Sequence, residues 1–526
     1  MSDQDNRFIM TRRGLIARSA LIGAGAIATA QPFRAFAASA RPRFTHGLQT
    51  GDIVGDRAAL WARADRPARL NVQWATTSDF ASPTSLAPVD ALPESDFTAQ
   101  VIAQGLPAGQ QIYWRAAWTN IDDVNAVSNP VIGRFRTAPE AARDVTFTWS
   151  GDTCGQGWGI NPDIGGMTIY ETMNRMSPDF FIHSGDTIYA DGPILAEVAL
   201  PDGSTWRNLT LEGKHKVAET LDEYRIAYKY NLMDDNLKAF NARVPMFAQW
   251  DDHETTNNWY PSEILTNTGS DTRYTVKRVA LLASRAKRAF LDYMPMLPVT
   301  DAGQKRINRH IPYGPSLDVF FLDMRSFRGP NTANLQTEES ADTAFLGDSQ
   351  ILWLKRQLLA SKATWKVIAA DMPIGLKVPD GAQWEAIANG EDGTAKGREL
   401  EIARVLAYIK EKDIKNVVWL TADVHYTAAH YYDPNKAQFQ DFKPFWEFVS
   451  GPLNAGTFGP NALDATFGPE VKFVKAPPAG QVNLPPSAGY QFFGHVKIDG
   501  KTKAMTVTLM DTAGAKLWST DLTPEA

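Results

Sequence analysis

The sequence predicts a mixed α+β and α/β chain in which a short all-β module precedes a larger domain built on parallel strands. Three observations carry this. Residues 44–139 alternate apolar and polar side chains with a period of two and are cut by turn-formers. From Val145 onward, short apolar runs are separated by stretches of helical periodicity, the pattern of strands joined by crossover helices. Six of those runs end directly in Asp, His or both, as expected where an open α/β sheet keeps its ligands at the carboxyl ends of its strands.

A chain of 526 residues exceeds one hydrophobic core, and 44% hydrophobic residues with 15 Trp and 26 Phe supply a sizeable interior. The formal charge of -6 without a basic block argues against nucleic acid as a main partner. One cysteine excludes an internal disulfide framework.

Residues 1–37 read as a twin-arginine signal peptide. Arg12-Arg13 precede a mildly apolar run from Leu15 to Ala30 without acidic residues, and Ala35-Phe36-Ala37 has the small-x-small form of a cleavage site. The run is shorter than the roughly 20 apolar residues of a membrane span. The expectation is therefore a periplasmic or secreted protein that meets the twin-arginine export machinery and keeps no stable membrane anchor.

In the module, Leu70 to Trp74 and Gln111 to Arg115 have the alternation of half-buried strands, and Pro107-Ala108-Gly109 is a turn between strands. Short strands at this spacing imply a β-sandwich of fibronectin-like type over residues 44–139, a packing or spacer unit without chemistry. His46 and Asp52 near its start read as ordinary surface or turn residues.

The larger domain, expected over residues 145–520, opens with Val145 to Trp149 and its loop Ser150-Gly151-Asp152-Thr153-Cys154. A helix from Thr168 to Met176 leads to Phe180-Phe-Ile182, followed by His183-Ser-Gly-Asp-Thr-Ile-Tyr189. Gly185 lets the chain turn so that Asp186 and Tyr189 stand at a strand end beside Asp152. Carboxylates brought together there repel unless a cation neutralises them, which points to metal. Cys154 could face the same cavity or be a small buried hydrophobe.

The third run, Val244 to Trp250, leads into Asp251-Asp252-His253-Glu254, with Asn257 and Asn258 just beyond. The fourth, Leu317 to Leu322, ends at Asp323, Arg325 and Arg328. Either arginine has the fork geometry to grip a phosphate oxyanion or to pair internally with Asp323. The fifth and sixth end in Asp371 and in Asp423-Val-His425, where a spacing of two on extended chain puts both side chains on one face. Asp348 to Ser361 reads as an amphipathic helix with Ile351, Leu354, Leu358 and Leu359 inward, and Glu399 to Lys410 as another. The stretch from Gly451 to Ser487 reads as a long ordered loop near the mouth of the site.

This ordered set resembles the calcineurin-like metallophosphoesterases, and within them the PhoD-like alkaline phosphatase branch, through Gly185-Asp186-x-x-Tyr189, Trp250-Asp-Asp-His-Glu254 and Ala422-Asp-Val-His425. The resemblance implies a four-layer αββα metallophosphoesterase domain of two mixed sheets flanked by helices. It implies that Asp152, Asp186, Tyr189 and His425 hold one ion, that Asp186 bridges to a second, and that Asp252, Asp371 and Asp423 with Asn257 hold the second. A phenolate donor suits Fe3+ and an all-oxygen set suits Ca2+. The branch usually has a Cys where Asp152 stands, which leaves Asp152 and Cys154 as alternatives. It has His or Gln where Asp371 stands.

The resemblance further implies hydrolysis of small-molecule or polymer phosphate mono- or diesters, in which cations about 3.5 to 4 Å apart activate a bound water for in-line attack. His253 would protonate or hydrogen-bond the leaving oxygen, its ring oriented by Asp251 or Glu254, and Arg325 would clamp the phosphate. Two other readings are a related hydrolase of a different ester and a non-catalytic calcium-binding surface module.

Overall fold

The computed structural model describes residues 41–525 apart from 299, 302 and 303. The signal segment 1–37 read from the sequence lies outside them. The strands of the first module run from Phe44 to Arg136. Phe44–Val54, Arg57–Ala64 and Thr98–Ala103 form one antiparallel sheet, and Ala68–Ala75, Gln111–Asn120 and Val131–Arg136 form the body of the other. The alternation in Gln111–Asn120 is realised literally: Ile112, Trp114, Ala116 and Trp118 are buried between the sheets and their neighbours are half exposed.

Arg57–Ala64 breaks that alternation, with every residue after Arg57 buried. Its second face is covered by the larger domain. Trp61 there donates its indole N–H to the Asp292 carbonyl at 2.8 Å. Asp52, read from the sequence as a surface or turn residue, lies buried in strand Phe44–Val54 and is paired at 2.8 Å with both Arg309 Nε and Nη2. Beside it a side chain at Gly51 would run into the Pro295 carbonyl oxygen, 1.5 Å from an ideal Cβ. His46 belongs to the same strand, half-buried, and burial pushes its imidazole down to about 3. Neither residue is in a turn: both lie within strand Phe44–Val54, at the two places where its pairing with Arg57–Ala64 shifts register.

The larger domain has two mixed sheets. In the first the order is Met246–Gln249, Phe180–Ser184, Val145–Ser150, Phe492–Ile498, Met505–Asp511 and Lys516–Leu522, the first three mutually parallel. In the second, Leu317–Phe321, Trp365–Ala369, Val417–Thr421 and Phe445–Val449 run parallel, flanked by Arg309–Pro312 and by Thr427–Tyr432 with Pro469–Lys475. Strand alternation builds the layers. Phe180, Ile182, Val319, Phe321, Val367 and Leu420 point into one core between the sheets. Phe181 instead meets the helices Thr168–Met176, Asp235–Asn241 and Val279–Tyr293, while Phe320, Ile368 and Trp419 meet Asp348–Ala360 and Glu399–Glu411.

The result is the αββα stack. Its centre is tight: the Phe180 ring lies 4.8 Å from Phe147 and 4.7 Å from Phe247, so truncation to alanine costs about 3 to 5 kcal/mol. Leu359, expected inward, is 51% exposed, because Leu358 already fills the inward position and the next residue turns about 100° away. The Gly451 to Ser487 stretch is not all loop. It contributes the edge strand Pro469–Lys475. Among the described residues no helix is long and apolar enough to cross a membrane.

Candidate metal centre and active site

Parallel register aligns the acidic loops. Ser150 pairs with His183 and Ser184 with Gln249, so Asp152, Asp186 and Asp251 all lie within about a residue of the same level beyond three adjacent strands. In the second sheet Phe321 pairs with Ala369 and Ala369 with Leu420, which does the same for Asp323, Asp371 and Asp423. The two rows meet. Backbone hydrogen bonds join the loops: Thr153 N donates to the Asp186 carbonyl at 2.9 Å, Ala422 N to Asp371 at 2.8 Å, and Asn454 N to Asp152 at 3.0 Å.

Asp152, Asp186, Asp423 and His425 all have left-handed backbone, with φ of 68°, 51°, 65° and 60°. Each such residue costs about 1 to 3 kcal/mol and persists only where its surroundings over-determine it. Here that strain turns the ligand atoms inward.

Among the described residues three sets could each hold a cation, the ligand atoms of each lying within 4.8 Å of one another: Asp152, Asp186 and His425; Asp186, Asp252 and His253; and Asp251, Asp252 and Asp423. They share Asp186 and Asp252, so the sets form one continuous centre. Tyr189 joins the first set, its phenol 2.9 Å from His425 Nε2. The opposite nitrogen of that ring, Nδ1, pairs with the Gly456 carbonyl and fixes the ring with Nε2 inward. Gly155 lies flat on the Tyr189 ring, where any Cβ would collide at 2.5 Å.

Cys154 turns away from the centre. Its sulfur packs against Met167 Sδ in the apolar layer, and burial pushes the thiol up rather than toward thiolate. Of the two alternatives, the geometry favours Asp152.

The carboxyls of Asp152, Asp186, Asp371 and Asp423 are pushed well above the usual carboxylate range, first by burial and then by Asp251 or Asp252 nearby. Oδ2 of Asp152 and both carboxylate oxygens of Asp371 are buried without a hydrogen-bond partner. Orphaned hard oxygen donors with one imidazole and one phenol are a donor set that cations would satisfy. The residues present fit a multi-metal centre.

Several expected roles move. Arg325 is fully buried, beneath the acids and away from the cavity, with Nε donating to Asp251 at 2.5 Å and Nη1 to Glu385 at 2.6 Å. Here it serves as an interior counter-ion, its Nη2 buried without a hydrogen-bond partner and 3.8 Å from Asp252 Oδ1. Its guanidinium does not pair with Asp323, whose Oδ1 accepts instead from Trp250 Nε1 at 2.9 Å and from the backbone N–H of Arg325 at 3.2 Å.

Burial opposes ionisation of Asp251, but Arg325 outweighs it and holds that carboxyl below the usual range. Asp251 therefore does not orient His253, and neither does Glu254, whose Oε1 accepts from Thr187 N at 2.6 Å. That work falls to Asp191, whose Oδ1 is 2.7 Å from His253 Nδ1. Asp371 sits behind Asp251, 3.8 Å from Arg325 Nε, and Asp251 occupies its expected place in the third set.

Asn257 faces solvent at the rim, and its backbone N–H donates to Asp191 Oδ2 at 2.9 Å. The signal for Asp191 was an acid two residues beyond Tyr189 in the same loop. Gln156, Asn461 and Arg273 also line the cavity, of about 570 Å³, and none follows an apolar run that would have marked it.

Burial lowers the affinity of His253 for a proton, but the carboxylates of Asp191 and Asp252 outweigh it and hold the imidazole up to about 9. Its ring stacks on Tyr189 with centroids 4.2 Å apart. An imidazole held by Asp191 at the rim of this acidic centre is placed to exchange a proton with a departing oxygen.

The PhoD-like phosphatase profile matches residues 147–509, and that of the N-terminal domain of PhoD-like phosphatases matches 28–139. Alkaline phosphatase D of Bacillus subtilis (strain 168) is 29% identical over 445 residues, 78% of this chain and 71% of that protein. A solved structure of PhoD superposes with a TM-score of 0.67 at 21% identity, covering 92% of this chain and 93% of the other. Purple acid phosphatase PPD1 from yellow lupin (Lupinus luteus) seeds gives 0.55 at 10% identity, over 92% and 74%.

Fold, centre and relatives together define a phosphoric ester hydrolase. The chain belongs to the family of PhoD-like phosphatases.

Proposed function

We propose that this phosphatase is an exported enzyme that hydrolyses phosphate mono- and diesters at a centre of iron and calcium. The observation that carries the reading is the close approach of Asp186, which belongs to the set with Asp152 and His425, to Asp252, which belongs to the set with Asp251 and Asp423, so that adjacent cations can be held without His253 as a ligand. On this reading Asp152, Asp186, Tyr189 and His425 hold Fe3+, and Asp252, Asp423 and Asp251 hold Ca2+, with Asp371 and Asn257 nearby. Bound cations would neutralise the ester's charge and supply an activated water.

The chain's own residues do the rest. Asp191 accepts from Nδ1–H of His253, which leaves Nε2 to carry the proton that the leaving oxygen takes. Asp186 accepts from His253 N at 3.1 Å, tying the ring's backbone to the metal centre. Arg325 stabilises the ionised form of Asp251 from below. The stacked Tyr189 ring keeps the imidazole from swinging out.

The test is a purified protein made through its own export route, assayed with chromogenic phosphate mono- and diesters before and after chelation, with elemental analysis alongside. Turnover lost with iron and calcium and restored by them supports the reading. Turnover that survives complete metal removal contradicts it. Intact metal with no turnover of either ester would favour the calcium-binding module instead. Replacement of Arg12-Arg13 by Lys-Lys tests export, and is expected to retain the protein inside the cell.

A further inference from the structure

We propose that Arg273 selects the substrate by gripping an anionic group carried on the alcohol that leaves. Among the described residues lining the cavity it is the only Arg or Lys, in a wall that otherwise presents Asp186, Asp191, Asp252, Glu385 and Asp423. Its guanidinium is pinned by two carbonyls, Nε donating to Ser270 at 3.0 Å and Nη1 to Asp191 at 2.9 Å. Both restraints are neutral. By contrast Arg309 and Arg225 are matched to the carboxylates of Asp52 and Asp292. Arg273 is exposed and forms no ion pair among the described residues, the Asp191 carboxylate acting on it from beyond ion-pair distance. A full positive charge held in a fixed orientation with a free edge is suited to an oxyanion.

Its position assigns which part of the substrate it meets. Asp191 holds His253 through its carboxylate and Arg273 through its carbonyl, so one residue fixes both. This inference rests on the proposed function, which places His253 on the leaving side: the departing alcohol then lies along the wall that Asp191 shares with Arg273. A cavity of about 570 Å³ is of the size that encloses whole small-molecule ligands. It has room for that alcohol as well as the phosphoryl group. The substrate class is therefore an ester whose alcohol bears a carboxylate or a second phosphate.

The experiment compares 4-carboxyphenyl phosphate with 4-carbamoylphenyl phosphate, which differ in the charge of the leaving group and little in shape. The metal-loaded wild-type enzyme should prefer the carboxylate by about 5- to 20-fold in kcat/KM, as expected for one partly exposed charged hydrogen bond. Arg273→Gln should bring the ratio close to one, Arg273→Lys should keep part of it, and added salt should shrink it in the wild type alone. Equal losses on both esters in Arg273→Gln would mean that the side chain merely braces its loop, and would overturn the proposal. So would a wild type without preference. Failure of the wild type to turn over either ester would remove the phosphoesterase reading itself, and this inference with it.

Discussion

Nδ1 of His253 lies 2.7 Å from Oδ1 of Asp191, and Asp191 in turn accepts the backbone N–H of Asn257 through its other oxygen. The acid that orients the imidazole thus comes from the loop that carries Asp186 and Tyr189. It does not come from the Asp251 to Glu254 run that carries the histidine.

Asp191→Asn keeps the shape and removes the charge behind the ring. We expect kcat to fall by about 10- to 100-fold, typical for a partner that orients a reacting histidine, with metal content and KM little changed. Steady-state kinetics with elemental analysis check this. Unchanged kcat, or metal lost in proportion to activity, would contradict the assignment.

Arg325 is expected to behave as a counter-ion and not as a phosphate clamp. Arg325→Met leaves Asp251 buried without its cation, while Glu385 keeps Arg328, and costs about 3 to 5 kcal/mol. Denaturant unfolding should show that loss. A raised KM at unchanged stability would restore the clamp.

The seam between the module and the catalytic domain depends on Asp52 and Arg309, both about 1% exposed at the side chain. Asp52→Ala should destabilise by about 3 to 5 kcal/mol while kcat per metal-loaded molecule stays at the wild-type value. Calorimetry and kinetics on the same preparation separate the two. Wild-type stability would show that the module is only loosely attached.

Much of this was legible in the sequence, and the reasons differ by residue. Apolar runs ending in acids marked Asp152, Asp186, Asp252, Asp423 and His425, because a buried strand that stops at a carboxylate leaves a strong local signal. Asp191 and Arg273 carry no such signal, since their loops take shape only through long-range packing. Arg325 was ambiguous because a fork that fits phosphate also fits carboxylate, and only burial decides between them. The left-handed backbone at Asp152, Asp186, Asp423 and His425 was hidden for a similar reason. No intrinsic preference of Asp or His demands it, and the neighbouring loops impose it. Strand Phe44–Val54 read as an ordinary module edge, because its partner surface lies more than 200 residues further along the chain.

Glu399 predicts a pH dependence of stability away from the centre. Burial, with Asp464 nearby, raises its carboxyl from 4.5 to about 8. A folded-state value above the unfolded one means that the folded chain holds the proton more tightly. Its contribution is fully present below about 4.5 and is lost as pH rises through about 8. Glu399→Gln mimics the protonated form and keeps an oxygen for Asn389 Nδ2 and Lys396 N. Relative to the wild type, its Tm should rise by roughly 2 to 5 °C between pH 5 and pH 9. A difference that does not change with pH would contradict the shift.

The central claim is that one shared set of buried carboxylates holds the ions that make this chain a phosphatase. Elemental analysis with activity measurement on Asp186→Ala and His253→Ala tests it most directly. Asp186→Ala should lose bound metal and activity together, while His253→Ala should keep its metal and turn over about 10² to 10⁴ times more slowly. Full metal content in Asp186→Ala, or equal metal loss in both variants, would contradict it.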